Sequence, residues 1–181
     1  MHLHHDSADD YEQYMEAKQV KRRRLSTLDS TSSGKYIPGG SPWTTPNLRV
    51  DFAFPCATQN EIDKDGAMLL MKNGCMGVFE GANLPVTAEG QEVLRSNPGV
   101  LYLPGKAANA GGVGVSGLEM SQNSSRTYWS REKVEAMLKD MMALIYQQMN
   151  EGAKDGTLEQ GCNRAGFLRV AHALRELGWV Y

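Results

Sequence analysis

Three short stretches of this 181-residue chain join small residues to a side-chain amide: Ala57-Thr58-Gln59-Asn60, Gly81-Ala82-Asn83 and Ala107-Ala108-Asn109. Small residues let a ligand come close to the backbone, and a neutral amide both donates and accepts hydrogen bonds. Such a lining suits a carboxamide or a ribose, whereas a phosphate would call for Arg or Lys. Asn and Gly also fill ordinary turns, so one such stretch says little; three in succession point to a nucleotide or nicotinamide pocket. Groups for bond-breaking chemistry are scarce. Lys106 and Glu80 are the nearest charges and have no obvious sequence partner. His172 sits in a helical pattern and reads as structural, and Cys56 has no nearby His or strand–turn–helix elbow to activate it. No acid, base and electrostatic trap assemble from these residues.

Directly after the third stretch, Gly112-Val113-Gly114-Val115-Ser116-Gly117 matches G-x-G-x-x-G in letters. That pattern carries weight only directly after a strand, opening a helix, with an acidic residue beyond the next strand. The glycines here come too late after the apolar run 100–103, and everything downstream is helical in pattern. The pyrophosphate reading is rejected. The glycines are expected instead to let a helix start pack tightly and turn backbone N–H groups toward an anion, with the Ser116 hydroxyl as a further donor.

Period and punctuation outline the elements that must position these stretches. Residues 50–54 (VDFAF), 77–80 (GVFE) and 100–103 (VLYL) read as short apolar strands. Between them, 62–72 reads as a helix with Ala67, Met68, Leu70 and Met71 inward and Asn73-Gly74 as its stop. Residues 87–96 read as a second helix, capped by Thr87. This alternation predicts an α/β fold: a partial Rossmann-like parallel sheet of about three strands, covered on its faces, followed by C-terminal helices. Ligands of such sheets bind beyond the carboxyl ends of the strands, which is where all three stretches fall. From the cap Ser130, Val134, Met137, Leu138, Met141, Met142, Ile145 and Met149 recur at helical spacing as core. A last helix is expected over 163–177, with Phe167, Val170, Ala171, Leu174 and Leu177 on one inward face and Gly178 as its stop.

Toward the N-terminus, 1–10 reads as a disordered start in spite of His2, His4 and His5. Residues 11–28 read as a helix with Tyr11, Tyr14, Met15, Leu25 and Leu28 inward, and the basic run 21–24 as a solvated face rather than a nucleic-acid or localisation signal. Residues 29–46 form a turn-rich connection around a short strand at Tyr36-Ile37. A net charge of −2 with 41% hydrophobic residues is ordinary for a globular protein and gives no reason to expect nucleic acid or an anionic membrane as partner. No apolar run is long enough for a membrane span, and MHLHHDSADD lacks the pattern of a secretory signal. Three unpaired cysteines without metal spacing suggest no disulfide and no metal site, hence a reducing, cytoplasmic setting.

The blocks PCATQNEID, EGANLPVT, LPGKAANAGGVGVSGLEMSQNS and CNRAGFLRVAHAL, in this order and spacing, closely resemble the hexameric glutamate dehydrogenases. The likeness runs from about residue 10 to the end, and the wording PGKAANAGGV is nearest to the NADP-dependent type, with NAD possible. The resemblance implies interconversion of L-glutamate with 2-oxoglutarate and ammonia by hydride transfer at C4 of a nicotinamide. By matching position it places Ala57, Thr58 and Gln59 along the nicotinamide–ribose, and Asn83 and Asn109 on the carboxamide or its ribose. Val113 would border the substrate side chain, and Ser116 would bind its γ-carboxylate. It further implies that 11–125 is the second half of the nucleotide-binding domain and 126–181 the C-terminal helices of that domain, in a homo-hexamer when full-length. The substrate domain with the catalytic lysine and aspartate, and the pyrophosphate glycine turn, would precede this region. The chain alone is then expected to be inactive, with an exposed sheet edge. Other readings are another amino-acid dehydrogenase, a non-catalytic protein docking onto full-length subunits, or an incomplete gene product without separate function.

Overall fold

The computed structural model describes residues 2–4, 8–27, 34–154 and 156–178. It divides into two compact units, Met1–Leu48 and Arg49–Tyr181. In the first, β1 (His2–His4) pairs antiparallel with β2 (Gly34–Tyr36), His2 opposite Tyr36. Thus within 1–10, expected without structure, β1 forms and α1 (Ala8–Met15) begins. The helix expected over 11–28 is interrupted. After Met15 it widens to a π-helical stretch, Glu16–Val20, then leaves the helical path at Arg22 (φ 50°) before a 3-10 turn, Leu25–Thr27. The apolar period lapses there: Ala17 is buried, but Met15 and Val20 are exposed, so packing does not hold a regular helix. Residues 21–24 are solvent-exposed as expected, with Lys21 paired to Glu16 at 3.0 Å. The expected inward positions Tyr11, Leu25 and Leu28 lie outside the described side chains.

The second unit carries a three-stranded parallel sheet in the order β3 (Phe52–Ala53), β4 (Gly77–Phe79), β5 (Leu101–Leu103). Phe52 sits opposite Gly77, and Gly77 opposite Leu101. Helix α2 (Lys64–Lys72) follows β3. Asp63 caps it by accepting from the Gly66 N–H, and Asn73 with the left-handed Gly74 (φ 89°) ends it. Helix α3 (Ala88–Arg95) follows β4, with Thr87 accepting from the Gly90 N–H. Beyond β5 come α4 (Gly105–Ala108), α5 (Ala110–Ser125), α6 (Arg131–Ala153) and α7 (Leu158–Leu177).

Strand alternation sorts the two faces of the sheet. Ala53, Val78 and Tyr102 are buried on one face, with Ala67 and Leu70 of α2 and Leu94 of α3 in the same core. The other face carries Phe52, Phe54 and Phe79; Phe54 stacks on Phe79 at 5.2 Å between centroids and is still 60% exposed. The sheet is therefore fully covered on one face only, against the expectation of two. Several expected inward positions also differ: Met68 is exposed, and so is most of the α7 stripe, with Phe167 at 71% and Leu177 at 81%. The amphipathic spacing is there, but nothing among the described residues covers that side of α7. On α6 the expected stripe is half-buried or buried throughout, ending in Met149.

Helix α7 starts five residues before the expected position. Thr157 and Gln160 form a reciprocal capping box there, each side chain bonding the other's backbone N–H, in the T-x-x-Q form that the sequence spells.

Candidate functional site

Parallel strands end on the same side, so the loops after β3, β4 and β5 share one edge. They are knitted together by backbone bonds. The Pro55 carbonyl accepts from both Gly81 N–H (3.1 Å) and Ala82 N–H (2.9 Å). Asn60 N–H donates to the Leu84 carbonyl, and Ile62 N–H to the Pro85 carbonyl, both at 3.0 Å. Ile62 and Val86 add an isolated parallel bridge that is buried on both sides. Asn60 (φ 54°) and Leu84 (φ 52°) are left-handed. That conformation costs a leucine about 1–2 kcal/mol, and it persists because the bond between these two residues fixes both loops.

The two asparagines meet. Asn109 ends α4 and precedes α5, and its Nδ2 donates to the Ala82 carbonyl (3.1 Å) and to Asn83 Oδ1 (2.8 Å). Both hydrogens of that amide are thereby used. Asn109 Oδ1 and Asn83 Nδ2 remain, one acceptor and one donor on the paired side chains.

Glu80, singled out in the sequence only as a nearby charge, is the one charged group buried among the described residues, at 1% exposure. Its Oε1 accepts from the Tyr102 hydroxyl (2.9 Å) and its Oε2 from Gly105 N–H (2.7 Å), the first amide of α4. Burial, reinforced by the Glu80 carboxylate, pushes the Tyr102 phenol far up and keeps it a donor. Gly105 fits because a Cβ there would lie 2.9 Å from the Ala82 carbonyl and 3.1 Å from Asn109 Nδ2.

Ala57, Thr58 and Gln59 lie exposed on the first loop. The Ala57 and Thr58 N–H groups both donate to Glu61 Oε1, at 3.0 and 3.3 Å. Glu61 thus shapes the loop, a role that the sequence reading did not give it. The signal was an acid three to four residues past two small residues, the spacing of a side chain folding back onto a turn.

Val113 and Ser116 stand on α5, exposed, Val113 at 74%. The expected helix start at the glycine run does not occur: α4 begins directly after β5 at Gly105, α5 at Ala110, and Gly112 to Gly117 lie inside α5. Ser116 Oγ is bonded to the Gly112 carbonyl of its own helix at 3.2 Å, so it is not a helix-terminus donor. The glycines divide by face. A Cβ on Gly111 would lie 2.9 Å from Leu138 Cδ1, and one on Gly114 would collide with Met141 Sδ, whereas Gly112 and Gly117 face open space. The first pair lets α5 approach α6; the second leaves bare backbone on the side of Val113 and Ser116.

The other candidates stand apart from this chemistry. Lys106 is bonded to Asn163 Oδ1 of α7, Cys56 is exposed beneath Gly81, and His172 is exposed on α7. A cavity of about 540 Å³ lies at the opposite end of β5, between the turn at Asn97 to Val100 and the start of α7. There Arg95 grips Glu159 through two bonds, at 2.7 and 2.6 Å, and its guanidinium sits over the Tyr102 ring.

Three parallel strands with helical crossovers, loops gathered at the carboxyl ends and a helical C-terminus define the class: part of a Rossmann-like α/β domain. The family model for Glutamate/Leucine/Phenylalanine/Valine dehydrogenase matches residues 3–178, and the chain belongs to that family. It is 46% identical over 171 residues to the NADP-specific glutamate dehydrogenase of Penicillium chrysogenum, covering 85% of this chain and 37% of that protein. With the NADP-specific glutamate dehydrogenase of Escherichia coli it shares 49% identity over 148 residues, covering 80% and 32%. The crystal structure of Plasmodium falciparum glutamate dehydrogenase superimposes with a TM-score of 0.85 at 42% identity, over 97% of this chain and 38% of that one. The chain spans about a third of the length of the curated relatives it matches. Among the described residues no helix is long and apolar enough to cross a membrane.

Proposed function

We propose that this chain forms the nicotinamide and substrate side of an NADP-dependent glutamate dehydrogenase. Such an enzyme interconverts L-glutamate, NADP⁺ and water with 2-oxoglutarate, ammonium, NADPH and a proton, the hydride passing between the substrate α-carbon and C4 of the nicotinamide. The observation that carries the reading is the Asn83–Asn109 pair. Its internal bond leaves one donor, Asn83 Nδ2, and one acceptor, Asn109 Oδ1. A nicotinamide carboxamide offers the reciprocal acceptor and donor, so the pair both binds the group and sets which way it faces. Ala57, Thr58 and Gln59 line the ribose side of the ring; Val113 borders the substrate chain, and the exposed Ser116 hydroxyl turns from the Gly112 carbonyl to donate to its γ-carboxylate. The bare Gly112 and Gly117 backbone gives the substrate room on the same helix. Positioning of this kind lowers the barrier by fixing donor and acceptor carbons in line before the transfer. The catalytic lysine and aspartate belong to a substrate domain facing this edge, in a homo-hexameric cytoplasmic enzyme.

NADPH fluorescence titration of the chain tests the reading. Asn109→Ala removes the acceptor and leaves Asn83 free to turn, and weakens NADPH binding about tenfold, the scale of one or two lost hydrogen bonds. Equal affinity of the variant and the parent chain would refute the assignment.

A further inference from the structure

We propose that Glu80 is a positioning residue for the Asn83–Asn109 pair. This rests on reading that pair as the carboxamide point and goes beyond it by naming what holds the pair. The stretch after β4 and helix α4 are joined by the Asn109 Nδ2 bond to the Ala82 carbonyl and by two more. Glu80 Oε2 accepts from Gly105 N–H at 2.7 Å, and three residues further along the loop Asn83 Oδ1 accepts from Asn109 Nδ2 at 2.8 Å. Asn109 is tied back to Gly105 through its own N–H, 2.9 Å from the Gly105 carbonyl. The bonds close a ring: Glu80, Gly105, Asn109, Asn83, and back along the chain to Glu80. The ring has little room to slip, since Gly105 sits against the Ala82 carbonyl, Asn109 Nδ2 and Glu80 Oε2 at once.

Glu80 suits the task because it is buried and acts only as an acceptor. Both of its partners donate, the Tyr102 hydroxyl and the Gly105 backbone amide, and a carboxylate accepts more strongly than a neutral oxygen. A glutamine of the same shape keeps both partners only by turning its NH₂ to Tyr102, whose hydroxyl must then accept instead of donating, and its bond to Gly105 loses the charge assistance. The carboxylate accepts from both at once, and its charge-assisted bond to Gly105 fixes where α4 starts and hence where Asn109 reaches Asn83.

The experiment uses the full 181-residue chain, labelled with ¹⁵N, and compares the parent with E80Q and G105A. In E80Q the Gly105 amide and the side-chain NH₂ signals of Asn109 and Asn83 all move, while the amides of the Ile62–Val86 bridge stay in place. NADPH binding weakens about tenfold in parallel, the scale of a charge-assisted hydrogen bond exchanged for a neutral one. A merely structural residue would shift the bridge signals and the thermal midpoint together with the site. Movement of Gly105 with unmoved Asn83 and Asn109 side chains would overturn the proposal. If E80Q does not fold, G105A decides: its Cβ pushes on the same ring without removing the carboxylate, and it must displace the Asn109 and Asn83 signals. Absence of NADPH binding by the parent chain refutes the functional reading alone, because the amide signals report the ring without ligand.

Discussion

Asn109 makes two side-chain bonds across to the loop after β4 and donates its backbone N–H to the Gly105 carbonyl within its own turn. The amides themselves were legible in the sequence, since small-residue-plus-amide recurs three times. Their pairing was not, because Asn83 and Asn109 stand 26 residues apart and only the parallel register brings their loops together. Glu80 shows the same limit: a lone acid after an apolar strand reads as a surface charge until Tyr102 and Gly105 are folded onto it. The three free cysteines have different settings. Burial raises the Cys75 thiol, which also donates to the Gly77 carbonyl at 3.2 Å, while Cys56 is exposed. A thiol reagent at neutral pH will therefore modify Cys56 quickly and Cys75 only after denaturation. Fast labelling of Cys75 in the folded chain would contradict this burial.

At the scale of elements, caps carried most of the legible information. Thr87, Ser130 and the Asn73-Gly74 stop all act where the sequence placed them. The glycine run misled, because composition does not tell which side of a helix a glycine faces. Gly114→Val is expected to destabilise by about 1–3 kcal/mol, since its side chain must push against Met141. Gly112→Ala, facing open space within a helix, should stabilise by about 0.5–1 kcal/mol. Chemical denaturation of the two variants checks the opposite signs; equal effects would remove the division of faces.

The α3–α7 junction gives a pH test. Arg95 holds the Glu159 carboxyl below the usual carboxylate range through its bidentate bond. A lowered folded value means that the pair's contribution is fully present above the unfolded value, about pH 4.3, and fades as pH falls through the lowered folded value. The stability gap between the parent chain and Glu159→Gln should thus be constant near neutrality and close in acid. A gap that persisted in strong acid would mean that the carboxylate contributes nothing to the junction beyond its volume.

For the whole molecule, the α/β class and the parallel order were legible because short apolar runs alternate with capped helices. Coverage was not, since an apolar stripe says that a face wants burial and not whether this chain supplies the cover. Phe52 and Phe54 on the sheet, and Phe167, Val170 and Leu177 on α7, are exposed in a chain about a third as long as its curated relatives. What the chain does hold complete is the knitted edge of three loops, and the account stands or falls there. The most direct test is ¹H–¹⁵N mapping of reduced nicotinamide mononucleotide on the isolated chain, a ligand that carries the ring and its ribose without the adenine half. The account predicts that the largest changes fall on the Asn83 and Asn109 side chains and on the Thr58 and Gln59 amides. Changes centred instead on the Arg95–Glu159 cavity, or none at saturating ligand, would contradict it.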